Sequence, residues 1–342
     1  LLFIRPRFVL DGVEVVYPEL FEIPLVHVTI KSYGLMMVVG FLSAVWLIRV
    51  LAREITPDPQ MIINAALYSL VAGLAGARLF YVVHYFEHFR SRPLAAFAIW
   101  EGGLELLGGV LLAITVIFLY LLYHRLPVRR YLDILAIALM LALAFGRIGC
   151  FLNGCCYGRP TDLPWGVRFP YGSPAYRSQV SPDPVRGRTE PQLELPPEFF
   201  VPAQGAGTVL KPYEDLSPAQ RRKVNGGPYR CLPVHPTQLY ASANAVLTCG
   251  LLWLFWRRSL GSAGKKRLLA APGSTFALMF IFYGISRFLM EFLRDDNPFT
   301  RLDGLTISQN LGIALVVFGA VLMVIFHRMA GRVQKRVQDP FS

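Results

Sequence analysis

Three arginines, Arg78, Arg147 and Arg287, interrupt long apolar runs, and Glu291 follows the last of them by four residues. An arginine in hydrocarbon costs roughly 2.5 kcal/mol or more, so such residues face a protein interior or a watery cavity and are seldom idle. A guanidinium presents a planar fork of donors that fits a phosphate. Three of them on separate apolar segments point to an anionic phosphate ligand. The plainer alternative for the last is an Arg287–Glu291 ion pair, since residues four apart share a helix face. Arg147 sits in FGRIGCFLNGCCYG, Phe145–Gly158, whose glycines at 146, 149, 154 and 158 let backbone or a lipid headgroup approach closely.

The same stretch holds Cys150, Cys155 and Cys156; Cys231 and Cys249 complete the five cysteines. They form neither CxxC nor a Cys/His spacing typical of zinc, so no metal and no cofactor is expected. A thiol–disulfide relay or a soft-metal site is open to the cluster. Against both stands the common use of a spare cysteine as a small buried hydrophobe. Cys231 could pair with Cys155 or Cys156 if its loop lies outside the cytoplasm, and the connectivity stays open.

The elements that must position these residues are membrane helices. With 342 residues, 54% hydrophobic and 16% charged, the chain is too apolar for an ordinary soluble protein and reads as a polytopic membrane protein. Its net charge of +12 lies mainly beside apolar spans rather than in aromatic-interleaved basic patches, so no nucleic-acid partner is expected. Seven spans are predicted: Tyr33–Leu51, Met61–Tyr85, Leu104–Tyr123, Tyr131–Phe151, Pro236–Trp256, Ala271–Leu293 and Leu305–Phe326. Basic residues cluster at alternate ends, beginning with Arg49 and Arg53, then Arg125, Arg129 and Arg130. Those ends should face the cytoplasm, which puts the N-terminus outside and the C-terminus inside.

The expected organisation is an outside segment 1–32, spans one to four over 33–158, an outside head over 159–235, spans five to seven over 236–326 and a basic tail 327–342 that meets anionic lipid. No removable signal peptide is evident in the first thirty residues. The alternation around Val26–Ser32 suggests short strands or an interfacial segment. The head holds 14 of the 25 prolines, which disfavours regular structure, and its middle, SPDPVRGRTEPQLELPPE, is expected to be mobile.

Six segments in order, SYGLMMVVGF at Ser32–Phe41, GARLFYV at Gly76–Val82, WEGGLELLGG at Trp100–Gly109, GRIGCFLNGCCYG, HPTQLY at His235–Tyr240 and YGISRFLMEFLR, make the chain resemble the prolipoprotein diacylglyceryl transferase family over nearly its whole length. The resemblance implies an all-α membrane enzyme that moves a diacylglyceryl group from phosphatidylglycerol to the lipobox cysteine of a prolipoprotein signal peptide, releasing glycerol phosphate. It implies Tyr33, Arg147, Arg287 and Glu291 as catalytic residues. Phosphatidylglycerol would be held by Arg147, Arg287, Arg78, Asn153, Gly158, His235 and Gln238. Leu107 stands where the family places a histidine, Cys150 and Cys155 where it places an asparagine and a glutamate, and Ala241 where a glutamate follows HPTQLY. Glu105, Glu101 and His235 are the candidate replacements for the base. Two other functions remain: a lipid or signal-peptide binder without catalysis, and a membrane thiol–disulfide oxidoreductase using Cys150, Cys155 and Cys156.

Overall fold

The computed structural model describes residues 19–23, 28–56, 58–90, 93–98, 103, 105–184, 187–202, 207–260, 271–296 and 304–338. Among them the chain is helical, with two short hairpins. The helices are α1 (Ser32–Ala52), α2 (Gln60–His84), α3 (Phe86–Arg90), α4 (Leu106–Tyr123), α5 (Val128–Asn153), α6 (Pro174–Val180), α7 (Pro218–Asn225), α8 (Thr237–Leu260), α9 (Ser274–Met290) and α10 (Ile307–Gln338). Three long helices start directly after a proline, at Pro59, Pro127 and Pro236. Proline suits that place because its fixed φ is preset for the first turn and its missing N–H would have no partner there. The hairpins pair β1 (Glu19–Ile23) with β2 (Val28–Lys31) and β3 (Phe200–Pro202) with β4 (Thr208–Leu210), both antiparallel. The first agrees with the strands expected near Val26–Ser32.

Six segments are long and apolar enough to cross a membrane: Ser32–Ala52, Gln60–His84, Val128–Asn153, Thr237–Leu260, Ser274–Leu293 and Ile307–Ala330. At about 1.5 Å per residue each meets the roughly 30 Å of a bilayer core. Large apolar side chains such as Leu42, Trp46, Val71 and Val83 stand more than half exposed on them, as lipid-facing residues do. The chain is therefore an all-α, multi-pass membrane protein. Six candidate spans stand among the described residues against the seven predicted; α4, the predicted third, is apolar but shorter than foreseen. Gly103 adopts a left-handed φ of 71° and Glu105 is extended, so the helix begins only at Leu106.

The chain divides into two compact units. The first comprises residues 1–42, 139–255 and 277–324. In it α9 and α10 meet through glycine. A Cβ on Gly284 would lie 2.6 Å from the Gly312 carbonyl, and one on Gly319 would lie 2.7 Å from that of Ala277. Small residues let helix backbones approach and gain dispersion contacts where no hydrophobic effect drives them together. The 159–235 segment has its own core, in which Phe169, Tyr176, Phe199, Leu216, Val224, Cys231 and Val234 are buried.

Several described residues in the middle of that segment are tied to their surroundings. Leu193 is buried and donates its N–H to Gln179, Asp183 and Arg188 exchange backbone hydrogen bonds, and Arg188 reaches Asp295 at 3.4 Å. A few well-placed apolar residues suffice here, because proline already limits the entropy lost on ordering.

The second unit comprises residues 43–138, 256–276 and 325–342. Its main seam joins α2 to α4. A Cβ on Gly76 would meet the Gly108 carbonyl at 2.5 Å, and one on Gly109 the Gly73 carbonyl at 2.9 Å. The glycine pair of WEGGLELLGG thus serves close helix packing. In the same unit the buried Asp133 carboxylate accepts the N–H groups of Gly273 and Phe276 at 2.8 and 2.9 Å, capping the start of α9.

Candidate active site

The first unit holds a cleft walled by residues of α5, α8 and α9 and by the turns after α5 and α9. Its polar lining is Arg147, Cys156, Thr237, Gln238, Asn244, Tyr283, Ser286, Arg287 and Arg294. Three arginines on one wall set would repel one another unless balanced. Two are balanced inside the protein. Arg287 Nη1 lies 3.1 Å from Glu291 Oε2, one helical turn on, and Nη2 donates to Ser308 of α10. Arg294 makes a forked pair with Asp296, at 2.7 Å through Nε and 2.6 Å through Nη2.

Arg147 has no carboxylate partner among the described residues and is the cleft arginine without a fixed carboxylate beside it. A phosphate would supply the missing counter-charge and accept forked guanidinium hydrogen bonds. Beside it, Gln238 is 1% exposed, and its Nε2 donates to the Cys155 carbonyl at 2.7 Å. Its Oε1 is buried with no donor among the described residues. A buried acceptor of this kind fits a ligand hydroxyl. Asn244 and Ser286 bond each other at 2.9 Å and form the neutral part of the wall.

The turn after α5 makes the other wall. Gly154 and Cys156 both take left-handed backbone, with φ of 70° and 60°, and fold the chain back over the last turn of α5. Thr237 Oγ1 donates to the Cys156 carbonyl at 2.7 Å, holding that turn to α8. The fold thereby gathers the sulfurs of Cys150, Cys155 and Cys156 within 4.8 Å of one another. Hydrogen bonds from the Cys150 and Cys155 thiols pull the Cys156 pKa below the ordinary thiol range against the effect of burial, and Arg294 and Arg147 add to the lowering. All five cysteines are free, and Cys231 is buried beside Gln179, so the pairing left open for it is not made.

Of the site residues read from the sequence, the cleft brings together Arg147, Arg287 and Gln238, with Glu291 buried behind Arg287. Tyr33 opens α1, about two-fifths exposed, against Gly149 of α5. Asn153 ends α5 exposed. Gly158 serves a close approach: a Cβ there would lie 2.6 Å from His235 and 2.8 Å from the Leu293 carbonyl, and its N–H donates to His235. His235 keeps Nδ1 buried without a partner.

Arg78 belongs to the second unit and is put to another use than the phosphate expected for it. Its guanidinium donates to the carbonyls of Ala95, Ala96 and Gly103 at 2.7 to 2.9 Å and lies over Tyr81 and Phe89. It clamps the loop ahead of α4. In the same unit His84 Nδ1 meets Glu105 Oε1 at 2.5 Å, two residues before the exposed Leu107. His84 was not read from the sequence, because the two partners are 21 residues apart. Glu101 lies outside the described residues. Arg294 was also missed, although it sits seven residues after Arg287 in YGISRFLMEFLR.

Comparison with known proteins gives the family. A family model described as prolipoprotein diacylglyceryl transferase matches residues 18–325. A phosphatidylglycerol–prolipoprotein diacylglyceryl transferase of Rhodospirillum rubrum is 30% identical over 311 residues, covering 87% of this chain and 89% of its own. The enzyme of the same name from Chloroflexus aggregans is 30% identical over 317 residues, covering 90% and 88%. That of Synechococcus elongatus is 29% identical over 309 residues, covering 90% and 86%.

Proposed function

The chain belongs to the prolipoprotein diacylglyceryl transferase family, and on that premise we propose that it transfers the diacylglyceryl group of phosphatidylglycerol to the lipobox cysteine of a prolipoprotein. The acceptor sulfur forms a bond to the glycerol carbon that carries the phosphate. The carbon–oxygen bond breaks, and glycerol phosphate leaves with the electron pair. The thiol proton passes to a base.

The observation that carries the reading is the charge balance of the cleft: three arginines, two held by carboxylates, and Arg147 left for an anion. Charge grows on the phosphate oxygens as the leaving group departs, so fixed guanidiniums stabilise the transition state more than the bound lipid. Arg287 is kept in place by Glu291 and Ser308, Arg294 by Asp296. Gln238 Oε1 accepts from a glycerol hydroxyl. Tyr33 holds the turn of α5 that carries Arg147, through its contact with Gly149.

We further assign α4 as a seventh span, residues 159–235 as an outside head, and an inner-membrane orientation with the N-terminus outside, on the distribution of basic residues. An outside cleft suits an acceptor presented by a secreted precursor.

The experiment is glycerol phosphate release from phosphatidylglycerol by purified protein in detergent, followed together with the mobility shift of a lipobox peptide. Release that depends on the peptide establishes the transferase. Lipid binding without release, across several peptides, establishes instead a binder that keeps the fold, the reading favoured by the aliphatic Leu107.

A further inference from the structure

We propose that Cys150, Cys155 and Cys156 form a site for one thiophilic d10 cation of the Zn²⁺ class, held through three cysteine sulfurs with one coordination position open. The sulfurs lie within 4.8 Å of one another. Ligands about 2.3 Å from a tetrahedral zinc sit roughly 3.8 Å apart, so rotation of the side chains by about 1 Å closes the set.

Sequence spacing alone does not produce this convergence. It needs the reversal at Gly154 and Cys156, and a left-handed backbone at a cysteine is strained. The strain is held in place by bonds to the carbonyls of the vicinal pair, from Thr237 to Cys156 and from Gln238 to Cys155, and by the Cys155 N–H on the Cys150 carbonyl at 3.1 Å. The fold therefore spends two buried side chains of α8 on keeping three thiols together.

The surroundings suit thiolates. Three thiolates and a divalent cation carry one net negative charge, and Arg147, Arg287 and Arg294 line the cleft that Cys156 borders. No carboxylate or imidazole joins the group among the described residues, so the donor set is purely soft. Structural zinc sites close with four protein ligands, whereas three leave a place for an outside ligand. That this ligand is the acceptor thiol rests on the transfer reading; the site itself rests on the sulfur geometry.

The test uses full-length protein purified in detergent with its thiols reduced. Titration with Cd²⁺, whose sulfur-to-metal absorption reports thiolate ligation, should saturate at one cation per chain, and Zn²⁺ should displace it. Cys155→Ser should weaken binding about tenfold or more. A readout on the unchanged chain is alkylation: Zn²⁺ should protect Cys150, Cys155 and Cys156 from iodoacetamide and leave Cys249 labelling as it was. Absence of a stoichiometric thiolate signal, or equal labelling with and without Zn²⁺, overturns the site. Peptide-dependent glycerol phosphate release from such a protein would reject the metal alone and leave the transferase standing, while metal binding without release would do the reverse.

Discussion

Gln238 donates to the Cys155 carbonyl at 2.7 Å, and this bond fixes which way its amide points, leaving Oε1 buried without a donor. The acceptor is thus placed by a contact that has nothing to do with any ligand. Replacing Gln238 by Leu should lower turnover on phosphatidylglycerol about tenfold, in line with one buried hydrogen bond. It should also narrow the preference over a phospholipid whose headgroup lacks hydroxyls. An unchanged preference, measured as the ratio of kcat/KM for the two lipids, would remove Gln238 from headgroup recognition.

Arg147 and Arg287 should separate in stability although both lower turnover. Arg147→Ala is expected to cost roughly 100-fold or more in glycerol phosphate release, the scale of losing one preorganised oxyanion donor, with little change in unfolding temperature. Arg287→Ala removes the guanidinium paired with the buried Glu291 carboxylate and should also cost about 3–5 kcal/mol of stability. Adding Glu291→Gln should recover the unfolding temperature but not turnover. Equal stability of the two single variants would argue against Glu291 as the partner that holds Arg287.

The α2–α4 seam is predicted to be intolerant of volume. A Cβ on Gly108 would lie 2.3 Å from the Phe80 ring and 2.5 Å from the Gly76 carbonyl. Gly108→Val should destabilise by about 1–3 kcal/mol, the usual cost of overpacking. Gly226, with open space around the place a Cβ would occupy, serves as the control, and Gly226→Ala should leave thermal unfolding in detergent unaltered.

Burial pushes the Cys231 thiol from an ordinary 9.0 up to about 12. The folded chain therefore keeps a proton that the unfolded chain loses above pH 9. The resulting stability is present in full below about pH 9 and drains away between about pH 9 and 12. Cys231→Ala should flatten that part of the stability curve in chemical unfolding. A slope unaffected by the substitution would show that other groups govern it.

Much of the membrane architecture was legible, because a span announces itself by length and apolarity. The Arg287–Glu291 pair was legible for a similar reason, since both members lie on one helix and their spacing fixes the geometry. What escaped the sequence depends on contacts between distant segments. Arg78 looked like a phosphate ligand and is a loop clamp, because three carbonyls from residues 95, 96 and 103 converge on it. Arg294 and Asp296 become part of the site only through the turn after α9. The meeting of the three thiols depends on two left-handed residues, one of them a cysteine for which no residue preference would forecast that backbone. The α4 start was missed because a glycine pair and a glutamate can sit inside or outside a helix.

The segment at Gly158–Pro160 is stitched on one side to Val234 and His235 and on the other to Leu293 and Arg294. Arg159 and Arg294, joined by a side-chain bond to a carbonyl, are 135 residues apart in the chain. A ribosome must therefore deliver the segment through α9 before the rim of the cleft can close. Until then, the nascent protein carries an inserted α5, with Arg147, beside an unfinished edge. Chains stalled before residue 290 should be targets for membrane quality control, and split versions of the protein should regain activity only when the two pieces are made together.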